Sequence, residues 1–312
     1  MLIFIVGVMV ALSMLVSDIM MMWLLLELSS LFFILWVSMH SKENLSREGV
    51  VMYFISQSVA SLMLLLGIIN YWDFSFQCFF WQNIVFMSLM IKLGMFPFHF
   101  WVVPVCKSFQ FWPLLVMLTM MKIIPLEMTY LWIESLVLKS ESFQYFEMNL
   151  WMVVSVMTMF YGALIGLSSS NVKHMLGGSS VSHGGWFILG MMNNMLWMYF
   201  MIYSVIMVLF VFFMIENELL GSSIMCLALS GLPPFGLFPL KLGIFLNSIE
   251  LGVLTIFLTL MVLCVLISLF FYLKYSLNFL LNKKKTESIS WYSFFSVNTL
   301  LSCLSVSMVL LL

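Results

Sequence analysis

Residues 84–101 read IVFMSLMIKLGMFPFHFW. The run is long and apolar enough to cross a bilayer, which takes about 20 residues. Yet it carries a lysine, Lys92, in its middle and a proline, Pro97, close behind. An all-round apolar helix belongs in lipid or in the core of a very large protein. The rest of the chain decides between these. Its 312 residues are 64% hydrophobic and 8% charged, with mean hydropathy +1.15, whereas soluble domains are roughly a quarter charged. No water-soluble fold hides that much apolar surface, so the reading is an integral membrane protein.

Apolar runs between polar breaks place helices at about 2 to 17, 19 to 39, 50 to 70, 83 to 103, 111 to 132, 149 to 167, 175 to 192, 195 to 215, 223 to 247, 252 to 275 and 291 to 312. The fold class is all-α: a polytopic membrane helix bundle of about 11 transmembrane helices in a single transmembrane domain, 1–312. The first run starts at Met1 without a basic leader, so no cleavable signal is expected. With loops alternating sides, Lys42, Arg47, Lys107, Lys173, Lys274, Lys283, Lys284 and Lys285 gather on the side of the N-terminus, and Lys139 alone lies opposite. That asymmetry is what the positive-inside rule requires of a correct helix count.

A net charge of -1 gives no reason to expect a nucleic-acid partner. The cysteines, Cys78, Cys106, Cys226, Cys264 and Cys303, show no CxxC pair and no spacing suited to zinc or an iron–sulfur cluster. No cofactor or metal is therefore expected on this chain. Alanine occurs only at positions 11, 60, 163 and 228 and arginine only at 47, against 31 Met and 31 Phe. This bias points to AT-rich coding DNA, as in an organelle.

Four charges stand where lipid-spanning helices should have none. Glu27, in MMMWLLLELSSLFFILW (20–36), lies roughly 12 Å into its helix at about 1.5 Å per residue. Lys92, Lys122 in MKIIPLEMTY (121–130) and Lys241 in PPFGLFPLKLGIF (233–245) are similarly deep. Each central lysine carries an insertion penalty of about 2.5 to 3.5 kcal/mol. One use is structural, each charge pairing with another or reaching a helix end; Lys122 has Glu127 and a break at Pro125 nearby for this. The other is proton handling. Burial disfavours a charged amine and a nearby carboxylate favours it, so such a lysine gains and loses a proton near neutral pH. Glu27 is the acid expected to pair with Lys92.

Two of these helices contain breakers. Pro97 follows Lys92, and Gly231, Pro233, Pro234, Gly236 and Pro239 precede Lys241. Proline removes an amide donor and kinks a helix, and interrupted helices at membrane depth mark ion sites in transporters; a passive kink is the other reading. These helices are the fourth and ninth of the count, which fits two inverted five-helix repeats, about 2–140 and about 149–275, plus a last helix at about 291–312. Among the histidines, His40 and His174 fall at helix ends. His99 suits packing or capping beside Pro97, and His183, in SSVSHGGW (179–186), is deep enough for a relay or a structural hydrogen bond.

KLGMFPFHFW from Lys92, MKIIPLEMTY, SSVSHGGW and LSGLPPFGLFPLK (229–241), in that order, resemble the antiporter-like membrane subunits of respiratory complex I, and among them the chain 2 family of NADH-ubiquinone oxidoreductase. The resemblance covers about Glu27 to Lys241. It implies a shortened animal mitochondrial form in the mitochondrial inner membrane, multi-pass, with its N-terminus on the matrix side. It implies proton-transfer roles for Glu27, Lys92, Lys122, His183 and Lys241. The chain would then be one subunit of a proton-translocating NADH:ubiquinone reductase, with other membrane-arm subunits as partners. NADH, FMN, iron–sulfur clusters and ubiquinone would be bound by other subunits of the complex. Departures from the family pattern are Val102, Val103, Pro104 and Val105 where a proline and an acid are usual, Gly177-Gly178 in place of Ala-Tyr, and Phe96 in place of a small residue. Apart from the resemblance, the residues also suit a free-standing cation/proton antiporter or solute transporter, or a structural module.

Overall fold

The computed structural model describes residues 1–40, 44–73, 78–137, 141–233, 235–250, 253–281, 302 and 306. All regular elements among them are helical. In order they are α1 (Leu2–Ser13), α2 (Ile19–His40), α3 (Asn44–Asp73), α4 (Cys78–Leu93), a 3-10 turn (His99–Trp101), α5 (Val102–Ser108), α6 (Phe111–Leu118) and α7 (Met120–Val137). Then follow α8 (Glu141–Ser168), α9 (Val172–Met192), α10 (Leu196–Ile215), α11 (Leu219–Ser230), α12 (Leu237–Glu250) and α13 (Thr255–Leu281). Among the described residues, six stretches are long and apolar enough to cross a membrane, for example Ile19–Met39, Leu196–Ile215 and Thr255–Leu281. The protein is a polytopic helix bundle. The expected helix at 291–312 apart from positions 302 and 306, together with Lys42, Lys139, Lys283, Lys284, Lys285, Pro234 and Cys303, falls outside the described residues.

The chain forms two compact units, Met1–Met148 and Asn149–Leu312. In the first, α3 packs on α2 and α4, and α7 touches α1, α2 and α4. Val10, Met22, Leu26, Leu64, Ile68, Leu89, Ile124 and Trp132 meet at its centre. In α2, Met22, Leu26, Phe33 and Val37 are buried while Leu24, Leu28, Leu31 and Leu35 are exposed. Both stripes are apolar, because a helix in lipid gains nothing from a polar outer face. Association between such helices rests on close van der Waals packing rather than on the hydrophobic effect.

In the second unit, α10 and α13 pack on α9 and α11, and α12 lies against α9 and α10. Glycines bring α8 and α9 backbone to backbone: a Cβ on Gly178 would stand 2.7 Å from the amide nitrogen of Gly166. This accounts for the glycine at position 178, since nothing larger fits between these backbones.

Helices interrupted at depth are the feature that positions the charges. α4 stops at Leu93, and Gly94 turns the chain with φ +68°. α11 stops at Ser230, and Gly231 does the same with φ +76°. A left-handed residue after a helix is the usual glycine stop, which L side chains resist. The prolines follow these stops rather than making them. A third break separates α6 from α7 at Thr119, whose hydroxyl bonds the Leu115 carbonyl at 2.8 Å. The helix expected to break at Pro125 instead runs through it. Lys274, expected in a loop, lies inside α13, which extends to Leu281.

Candidate functional site

In the first unit the ammonium of Lys92 lies 3.1 Å from Glu27 Oε1, an ion pair between α2 and the last turn of α4. The lysine side chain is fully buried, whereas that of Glu27 is 26% exposed. The end of a helix leaves carbonyls without amide partners and carries the negative end of the helix dipole. Lys92 therefore sits where a cation is favoured twice, by the carboxylate and by the helix end. Trp101 Nε1 donates to the Ile91 carbonyl at 2.9 Å and fastens the chain after the break to this end.

Lys122 is buried in the first turn of α7, just past the break at Thr119, and its backbone amide bonds the Thr119 carbonyl at 3.1 Å. The lysine and the buried thiol of Cys106 are within electrostatic range of each other. Glu127 lies near Ser13 of α1.

In the second unit Lys241 lies in the second turn of α12, and its Nζ donates to the Ser230 carbonyl at 2.9 Å. That carbonyl belongs to the last residue of α11, so this ammonium also serves the C-terminal end of a broken helix. Lys92 stands before its break and Lys241 after, yet each reaches the end of the half-helix that stops at a left-handed glycine. Lys241 also faces the Trp186 ring, 5.7 Å from its centroid, within the range of a cation–π contact. Among the described residues no carboxylate lies within ion-pair distance of it. Beside the amine is a cavity of about 190 Å³, walled mainly by Trp186, Phe238, Met261 and Val265. Lys241 is the charged side chain in this mainly apolar wall.

His183 is buried in α9 and touches neighbours on two other helices. Its Nδ1 is 2.8 Å from the Tyr199 hydroxyl of α10, and its Nε2 is 3.1 Å from the Tyr272 hydroxyl of α13. Tyr203, one turn after Tyr199, lies with its ring centroid 4.8 Å from that of His183. Trp186 stacks on Tyr199 at 6.3 Å, so aromatic rings connect the surroundings of Lys241 to those of His183. His99, in the 3-10 turn, is buried and stacked on Phe100 at 4.4 Å, a packing arrangement. His174 is half-buried near the start of α9.

The structure thus joins Glu27 to Lys92 and places His183 and Lys241 around a shared set of aromatic rings. Sequence reasoning missed Tyr199, Tyr203, Tyr272 and Trp186. The available signal was tyrosine at i and i+4 in the first half of an apolar helix. Among the described residues no group of three or more His, Cys, Asp or Glu side chains could hold a metal ion.

A family model described as NADH:quinone oxidoreductase/Mrp antiporter, transmembrane, matches residues 16–223, most of the chain. The chain belongs to the NADH:quinone oxidoreductase/Mrp antiporter family. It is 34% identical to NADH-ubiquinone oxidoreductase chain 2 of Albinaria caerulea over 88% of this chain and 86% of that one. To the protein of the same name from Anopheles gambiae it is 33% identical over 91% and 86%. Among solved structures, a chain of respiratory complex I from Thermus thermophilus superposes with TM-score 0.75 at 18% identity, covering 94% of this chain and 73% of the other. A chain of the Mrp complex from Dietzia sp. gives 0.76 at 17%, covering 88% and 59%. These two likenesses establish the antiporter-like fold. The protein is an antiporter-like membrane subunit with buried charges consistent with ion translocation.

Proposed function

We propose that this chain is a core membrane-arm subunit of a proton-translocating NADH:ubiquinone oxidoreductase in the mitochondrial inner membrane. Its part is to move protons through Glu27, Lys92, Lys122, His183 and Lys241, while NADH, FMN, iron–sulfur clusters and ubiquinone are handled by partner subunits. The observation that carries this reading is the placement of Lys92 and Lys241, each at the C-terminal end of a helix stopped inside the membrane by a left-handed glycine. A structural ion pair would need no helix break. A proton carrier does, because freed carbonyls and water hold the charge as it arrives and leaves.

The chemistry follows from the surroundings of each amine. At Lys92 the carboxylate of Glu27 stabilises the ammonium, so drawing Glu27 away releases a proton to the next acceptor. At Lys241 a carbonyl and a π face take the place of the carboxylate. Two inverted repeats, about 2–140 and about 149–275, with about eleven helices in all, would relate the two breaks. An N-terminus on the matrix side puts the basic loops there. The relatives named chain 2 favour this reading over a free-standing cation/proton antiporter.

The test is to solubilise native membranes mildly, separate complexes on a native gel, stain for NADH dehydrogenase activity and identify this chain by mass spectrometry. Its presence in a large, NADH-active band is expected. Recovery alone, or only in a small inactive complex, would overturn the reading in favour of a free antiporter.

A further inference from the structure

We propose that the cavity beside Lys241 is a binding site for a long-chain carboxylic acid, whose carboxylate pairs with the ammonium while its acyl chain leaves towards lipid between α12 and α13. The site stands on geometry. Only its consequence, that a bound acid holds the proton on Lys241 and slows the relay, rests on the reading that this lysine carries protons.

The amine is buried and under-satisfied. Lys241 is 7% exposed, and among the described residues its Nζ has one hydrogen bond, to the Ser230 carbonyl at 2.9 Å. An ammonium has three N–H donors, so two remain. The Trp186 ring at 5.7 Å takes up part of the charge, and no carboxylate of the described residues lies within ion-pair distance. A buried charge without an anion is costly. Trp186 lines the cavity, as does Gly231, where a Cβ would lie 3.0 Å from Nζ. The amine therefore stands at the cavity wall, and what it lacks is a negatively charged acceptor.

The rest of the wall selects the class of anion. With α12 packed on α9 and α10, and α13 on α9 and α11, the cavity opens between α12 and α13. Its volume is about 190 Å³, and an apolar cavity of about 150 Å³ already takes a benzene ring. There is room for a carboxyl group and its first few methylenes. Leu242 of α12 and Val262 of α13, both lining residues, are also exposed on the outside of the bundle, and the remaining chain passes between them. A carboxylic acid is an anion source that reaches membrane depth, because its neutral form dissolves in hydrocarbon. When it meets the free amine, its O–H bond breaks and an N–H bond forms on Nζ. Acid and amine become carboxylate and ammonium, and no net charge is brought into the bilayer. An alcohol of the same chain fits the same walls and supplies no charge.

The test photolyses a long-chain fatty acid carrying a diazirine in its chain, in proteoliposomes that hold the assembled complex, and maps the labelled peptides by mass spectrometry. Labelling is expected on α12 and α13 around Leu242 and Val262. Palmitic acid is expected to compete for it, and hexadecanol to compete about tenfold more weakly, the difference a charged over a neutral hydrogen bond makes. Lys241→Met removes the charge and is expected to lower labelling per assembled complex about tenfold. Val265→Phe narrows the cavity, leaves the amine in place and is expected to do the same. Equal competition by acid and alcohol, or undiminished labelling in either variant, shows an acyl groove that does not recognise charge and overturns the proposal. Absence of label from these helices overturns it as well. If a variant fails to assemble, the competition on the wild-type complex decides. Proton translocation measured in the same vesicles separates the two readings. Translocation lost in Lys241→Met with no specific labelling of the wild type overturns the acid site and leaves the proposed function standing. Acid-specific labelling with Lys241→Met translocating at the wild-type rate supports the site and removes the lysine from the proton path.

Discussion

The ammonium of Lys92 and the carboxylate of Glu27 stand 3.1 Å apart across 65 residues of chain, the lysine fully buried and the acid partly open. The asymmetry makes the acid the partner that is able to move. Glu27→Gln keeps the shape and removes the charge, leaving a buried amine without its counter-ion. Loss of one member of a fully buried pair costs about 3 to 5 kcal/mol, and the exposure of Glu27 reduces this to about 1 to 2 kcal/mol. The expected outcome is coupled turnover lowered about tenfold per assembled complex, read by NADH oxidation. An unchanged rate would separate the pair from proton transfer.

Gly231 supplies the second prediction. At φ +76° an L residue is strained by about 1 to 2 kcal/mol, and a Cβ there would lie 2.9 Å from Cδ and 3.0 Å from Nζ of Lys241. Gly231→Ala is expected both to lower the thermal midpoint of the complex and to displace the amine from the Ser230 carbonyl, so translocation falls more than stability does. A loss confined to stability would show that the position of the amine at this helix end does not matter.

Gly178 tests packing without touching a proton carrier. Its missing side chain lets α9 lie 2.7 Å, measured from an added Cβ, from the backbone of α8 at Gly166. Overpacking of this kind costs about 1 to 3 kcal/mol. Gly178→Leu is expected to reduce the amount of assembled complex on a native gel while complexes that form retain most of their turnover. An undiminished yield would mean that α8 and α9 separate easily.

The pairing of Glu27 with Lys92 was legible in the sequence because a charge at membrane depth has so few ways to be satisfied that an acid and a base buried in separate apolar runs imply each other. The existence of breaks near Lys92 and Lys241 was legible too, from proline and glycine. Their location was legible only in part, since Gly231 stood among the breakers before Lys241 while Gly94 and Thr119 did not stand out. Prolines at 97, 125 and 233 draw the eye, but Gly94, Thr119 and Gly231 end the helices. A stop depends on the backbone conformation of one residue, and glycine at φ above zero looks like any other glycine in a sequence. The contact of His183 with two tyrosines was hidden for a different reason. Tyr199, Tyr272 and His183 come from three helices, and apolar runs carry no periodic signal that says which faces meet. The departure at Gly177-Gly178 likewise acquires its meaning only from the facing glycines of α8.

The central claim is that a buried lysine on a broken helix carries protons. It is tested most directly by measuring NADH-driven proton translocation in proteoliposomes containing the complex with Lys241→Met. Methionine keeps most of the side-chain length in the cavity beside Trp186 and removes the only titratable atom. Assembled complex is expected in near wild-type amount, with translocation reduced at least about tenfold. Assembled complex with translocation at the wild-type rate would contradict the account.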